Sequence, residues 1–305
     1  MSSLVMKEPS PTDMLEACVS VSSRCAVRLV QSALASFDET KVRLVNSIGF
    51  GGLLKIPAIR SINKHLSLWL LTKVDEAHQA IVVDSLRVLT LTGRDVGLVF
   101  GIPSTGDPVV CRPRSKGGVA NLAVRQPLNV PQAEQVSIKF VQEIIEKKYD
   151  AGMTEEDEAC FKVAFVMFVM ASFLAPGAKH DYCSADYWDA LAVPSKIQCY
   201  DWSSYVLRRL LASASRLRVD LASGRKGSNI TCCPLFLQVL YLDSINLGPL
   251  NMRHDSLPRI SQFTSDRLKS MIAMDSTNGR TTRRVAGFGQ SEVCSTHSYH
   301  STRHN

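Results

Sequence analysis

Apolar residues recur at helical spacing through most of the chain, and one short stretch reads as strand. Leu15, Val19, Ala26, Leu29, Val30, Ala33 and Leu34 fall at three- and four-residue intervals, predicting a helix over Asp13–Phe37 capped by Asp13. A short second helix is predicted over Asp38–Ser47, stopped by Gly49. In Asn63–Val74 the side chains of Leu66, Leu70, Leu71 and Val74 share one face, with Trp69 beside it. Gln79–Asp84 and Leu86–Leu91 are rich in β-branched and aliphatic residues, predicting a hairpin through Asp84 and Ser85. Thr92 followed by Asp95 is a capping box for a short helix that turns Val96, Val99 and Phe100 inward and ends at Gly101.

Residues 104–130 lack periodicity and read as a loop or linker. Pro131 suits the first turn of a helix to about Tyr149, with Val136, Phe140, Val141, Ile144 and Ile145 on its core side. Thr154 and Asp157 form a second capping box, opening an apolar helix that Pro176 and Gly177 end. Its apolar run, Ala159–Ala175, carries Lys162 and falls short of a membrane span, so a buried helix is expected and no membrane association. Further helices are predicted from Asp201 to about Ala222, from Pro234 to about Asn246, and over Ser265–Asp275. The fold class is therefore mainly α, with one small β hairpin near residues 79–91 and a disordered C-terminal tail. The expected organisation is a flexible leader 1–11, an N-terminal helical and hairpin subdomain 12–103, the linker 104–130, a C-terminal helical subdomain 131–275 and the tail 276–305.

Composition changes this picture little. Of 305 residues, 45% are hydrophobic and 21% charged, enough to bury a core without disulfides or metals. The formal charge of +7 permits a polyanionic partner. The nine cysteines are odd in number, irregularly spaced and nowhere C-x-x-C, which favours a reducing compartment. The first eleven residues show no signal-peptide pattern.

Six groups invite a chemical reading. His180, Asp181, Tyr182 and Cys183 suggest a Cys/His nucleophile, yet adjacency in sequence does not orient a base, and a polar loop is the expectation. Cys294, His297, His300 and His304 have zinc-like spacing but lack the packed segment between two ligand pairs, so no metal is expected. Gly49, Phe50, Gly51 and Gly52 lack the preceding strand and the Lys-Ser/Thr of a phosphate loop, and a structural turn is expected. Trp188, Trp202, Tyr187 and Tyr205 have the area to stack bases, but core packing is the expectation. The Asp201–Ala222 helix and its exit carry Arg208, Arg209, Arg216, Arg218, Arg225 and Lys226 against two carboxylates, Asp201 and Asp220. These six cations are the candidate nucleic-acid contacts. Arg280, Arg283 and Arg284 form a weaker basic cluster suited to nuclear import.

Three segments together resemble the plant mobile domain family, also labelled aminotransferase-like. They are Ile48–Ile56 with the Trp69-Leu70-Leu71 helix; Leu91–Pro103; and Phe165–Pro176 followed by Asp186-Tyr187-Trp188 and Tyr200–Val206. The resemblance spans roughly residues 40–275. It implies a predominantly helical, transposon-derived, nuclear protein that acts by binding protein or nucleic acid and is not an enzyme. No cofactor-binding lysine with a pyridine partner stands out, so no cofactor or small-molecule substrate is expected. Some relatives carry a C-terminal SUMO-type cysteine protease, and the alternative expectation is an orphaned, non-catalytic N-terminal lobe of such a polyprotein.

Overall fold

A computed structural model describes residues 22–110, 119–131, 134–150, 152–177, 181–223, 229–276 and 287–293. It is mainly α. The helices are α1 (Val27–Leu34), α2 (Glu39–Ser47), α3 (Lys64–Lys73), α4 (Gly93–Phe100), α5 (Val119–Leu128), α6 (Ile138–Glu146), α7 (Glu155–Val169), α8 (Trp202–Ala222), α9 (Pro234–Ser244) and α10 (Ser265–Asp275). Strands are short. β1 (Ser22–Ser23) pairs in parallel with β7 (Asn229–Ile230), and β5 (Asp107–Pro108) in parallel with β6 (Tyr200–Asp201). The expected hairpin is present as β3 (Ala80–Val82) and β4 (Val88–Thr90), joined by β2 (Val74–Asp75) into a three-stranded antiparallel meander. Asp84 Oδ1 builds its turn by accepting from the amides of Leu86 (3.0 Å) and Arg87 (2.9 Å).

Local chemistry explains most element boundaries. Both capping boxes form: Thr92 and Thr154 each accept from the amide three residues on, and Asp95 and Asp157 reach back. Asp38, Asn63 and Asp201 cap α2, α3 and α8 in the same one-sided way. Helix α9 is buried on every side, as is α7 from Val163 onward, continuing through one π turn over Met170–Leu174. Such all-round apolar helices belong at the centre of a core. Phe161, Phe165, Phe50 and Trp202 form a chain of ring contacts with centroids 5.8–6.3 Å apart, tying α7 to α8 through the glycine turn.

That turn is architectural. Residues Gly51–Lys55 form a 3-10 turn, and Gly52 N donates to Gly101 O at 3.2 Å. Gly101 sits at φ 63° at the end of α4, and its α-carbon faces Gly52 across a crossing with no room for side chains. The glycines thus serve a backbone-on-backbone contact between the turn and α4.

Three expectations about element bounds are corrected. Helix α1 begins at Val27, because Ser22 and Ser23 pair with β7; Asp13 and the leader lie outside the described residues. Residues 104–130 are not all loop, since they contain α5. Its Pro127 hid it, while its contacts are tertiary: Arg125 is buried with its guanidinium 5.1 Å from the Trp188 ring. Helix α6 starts at Ile138, because Ser137 caps it by accepting from Phe140 N at 3.1 Å. Of the tail, residues 277–286 and 294–305 lie outside the described residues, whereas residues 287–293 are seated on the core. One hydrophobic cluster runs from Val27 to Met271, so the segments 12–103 and 131–275 share a single core. Among the described residues no helix is long and apolar enough to cross a membrane.

Candidate nucleic-acid interface

Helix α8 presents two different sides. Trp202, Tyr205, Val206, Leu210, Ser213, Ala214 and Leu217 are buried against the core. Close packing on α4 needs Gly93, where an added Cβ would lie 2.2 Å from Ser204 Oγ. The opposite stripe, Arg208, Ala212, Arg216, Val219 and Ala222, is exposed. These positions recur at three and four residues, the solvent face of an amphipathic helix.

The six candidate cations therefore separate. Arg208 and Arg216 lie on the exposed stripe, about 12 Å apart along the axis at 1.5 Å per residue, and neither meets a carboxylate among the described residues. Arg208 Nη2 donates to Val109 O, and its guanidinium lies 6.0 Å from the Tyr205 ring centre, which fixes the side chain without neutralising it. Arg209 is half-buried and paired with Asp186 at 3.3 Å. Arg218 is also half-buried, with its Nε enclosed and without a hydrogen-bond partner among the described residues. Arg225 and Lys226 lie outside the described residues, as do Arg280, Arg283 and Arg284. Charge counting along the helix cannot see the Asp186 pairing, which lies more than twenty residues away in sequence.

The other candidates resolve differently. Trp188, Trp202, Tyr187 and Tyr205 are all buried, so none offers a face for a base to stack on. Trp202 Nε1 donates to Ile197 O at 2.8 Å, as expected of a core indole. Burial pushes the Cys183 thiol up to about 12 and its sulfur lies 3.9 Å from Met167 O, an apolar setting that suppresses the nucleophilic thiolate. His180 lies outside the described residues, as do Cys294, His297, His300 and His304. Among the described residues no group of three or more His, Cys, Asp or Glu is placed to hold a metal ion.

Sequence reading missed one buried charge cluster. Arg259 donates through Nε and Nη2 to both oxygens of Asp243 at 2.8 Å each, and through Nη1 to the carbonyls of Arg253 and Ser256. His254 Nε2 lies 3.4 Å from Asp243 Oδ1. The paired, hydrogen-bonded geometry is what burial of an ion pair requires, and it anchors the loop after α9. The sequence signal is Asp243 near the end of a mostly apolar helix.

No curated protein matches the chain, and no solved structure does. A family model described as a domain of unknown function (DUF8566) matches residues 23–238. That span runs from β1 through the first half of α9 and takes in the arginine stripe, so the chain belongs to the DUF8566 family.

Proposed function

We propose that this domain is a non-enzymatic binding module of the nucleus, related to the transposon-derived plant mobile domains, and that α8 contacts the phosphate backbone of nucleic acid. The supporting observation is the pairing of Arg208 with Arg216 on one exposed stripe of a helix whose far side is locked into the core. Un-neutralised guanidiniums suit phosphate oxygens, which they meet through two N–H groups at once. Backbone contacts of this kind position a duplex without reading its sequence. The flanking cations Arg225 and Lys226 extend the same end of the chain's charge pattern.

The test is fluorescence anisotropy with a labelled duplex across a salt series. Binding should weaken linearly in log–log form as salt rises, with a slope near −0.9 per phosphate neutralised. The double variant Arg208→Ala/Arg216→Ala should reduce the magnitude of that slope by about 2, one for each lost phosphate contact. Arg209→Ala should change it far less, because Asp186 already neutralises that residue. Salt-independent binding, or an unaltered slope in the double variant, would sink the reading.

A further inference from the structure

The segment Gly287–Val293 lies in a groove between α3, α9, α10 and the β-meander, and the way it is held describes a ligand. Asp275, at the end of α10, is buried, and its carboxylate accepts from three donors. Tyr241 Oη donates at 2.8 Å, Gly289 N at 2.9 Å and Ser291 N at 3.0 Å. From the other wall, Arg87 Nη1 donates to the carbonyls of Gly289 and Ser291. Asp84 holds that guanidinium in place by accepting from Arg87 Nε at 2.7 Å. One carboxylate thus reads two backbone N–H groups, and one guanidinium reads the carbonyls of the same two residues. Farther along, Asn246 N donates to Glu292 O at 2.7 Å, and Val293 bridges to Ile245 in antiparallel fashion.

Side-chain selection comes at two positions. The Phe288 ring packs on Trp69 with centroids 5.7 Å apart, and Trp69 is braced from behind by Tyr241 at 5.5 Å. Gly289 is buried at φ 83°, and an added Cβ there would lie 3.1 Å from both Trp69 Cζ2 and Val83 Cγ1. Left-handed backbone and lack of space together demand glycine. Gln290 and Glu292 are exposed and unselected.

We propose that this groove is a docking site for an extended peptide with an aromatic-glycine pair, Phe-Gly, carried by another protein. In the isolated chain its own residues 287–293 occupy it. The occupant's chemistry follows from the walls: an aromatic platform, a glycine-only constriction, then a backbone clamp. If residues 287–293 leave, Asp275 keeps Tyr241 but loses two amide donors, and a buried carboxylate short of donors is costly. An empty groove therefore favours another extended segment that restores those donors, as in strand addition. The resident segment is covalently continuous with α10, so it competes as an intramolecular ligand.

The experiment uses the full-length chain and a labelled peptide spanning Gly287–Val293. Binding to the Gly289→Ala and Phe288→Ala chains should be at least about tenfold tighter than to the wild type, where the resident segment competes. The same peptide with alanine at its glycine corresponding to Gly289 should bind at least about tenfold more weakly to every chain. Adding Arg87→Ala to the Gly289→Ala chain should abolish the gain. Circular dichroism and thermal melts establish that each variant is folded. The wild-type chain gives a readout independent of folding defects, because it should still discriminate the two peptides at high concentration. Equal binding of both peptides, or no binding to any chain, overturns the proposal. Concentration-dependent dimerisation that disappears in Phe288→Ala also overturns it, assigning the groove to a second copy of this chain.

Discussion

At Gly52 an added Cβ would lie 2.2 Å from Phe100 O and 2.4 Å from Gly101 Cα. Both obstacles are backbone, held by α4, and neither can rotate away. Gly177 is the opposite case, with nothing within 4 Å among the described residues. Gly52→Ala is therefore expected to cost about 3 kcal/mol or more in urea unfolding, at the upper end of overpacking effects. Gly177→Ala should stay within about 0.5 kcal/mol, as surface changes do. Similar losses at the two sites would show that the crossing yields more easily than its geometry indicates. The buried thiols give a second residue-scale prediction. Burial pushes Cys183 and Cys232 up to about 12 from an ordinary 9.0. Between those limits the unfolded chain releases protons that the folded chain retains. Stability from each thiol is thus complete below pH 9 and falls as pH rises, by about 1.4 kcal/mol per pH unit per group. Cys183→Ala should make the alkaline limb of stability against pH shallower by about that slope, while leaving the pH dependence near neutrality unchanged. An unaltered alkaline limb would mean that the Cys183 thiol ionises in the folded state near its ordinary value.

Elements whose ends are set by local chemistry were legible in the sequence. Helices α4, α7 and α8 start where Thr92, Thr154 and Asp201 place an acceptor over the first turn, and α10 spans Ser265–Asp275 as its periodicity predicts. The elements that sequence reading misplaced are set by tertiary partners. Helix α5 has Pro127 near its end and is seated by Arg125 against Trp188. The β1 pairing depends on a strand about two hundred residues away. The same division holds for the candidate interface. Periodicity located α8 and so its arginines, but only the fold distinguishes exposed Arg208 and Arg216 from Arg209, which Asp186 neutralises. Nothing local marked residues 287–293 as a docked segment, because their anchors, Trp69, Arg87 and Asp275, come from three distant stretches.

Across the whole molecule the decisive feature is the continuity of the core. Phe50, in the first half of the chain, packs on Phe165 and Trp202 of the second, at 6.3 and 5.8 Å. Phe100 does the same with Phe173 at 5.3 Å and Phe236 at 6.4 Å. Helix α9 lies between α3 and α4, so neither half can bury its apolar faces alone. The chain should therefore unfold as one cooperative unit. Phe50→Leu and Phe236→Leu are each expected to cost about 1–2 kcal/mol, between a volume-conserving swap and a full truncation. Each should shift one common transition, with far-UV circular dichroism and tryptophan fluorescence remaining superimposable. Two independently folding halves would behave otherwise. Phe50→Leu would then lower only an early step and Phe236→Leu only a late one, and the two probes would part. Coincident shifts in both variants would show that the arginine stripe on α8 and the groove around Asp275 are held by the same core. Loosening either half should then weaken both surfaces together.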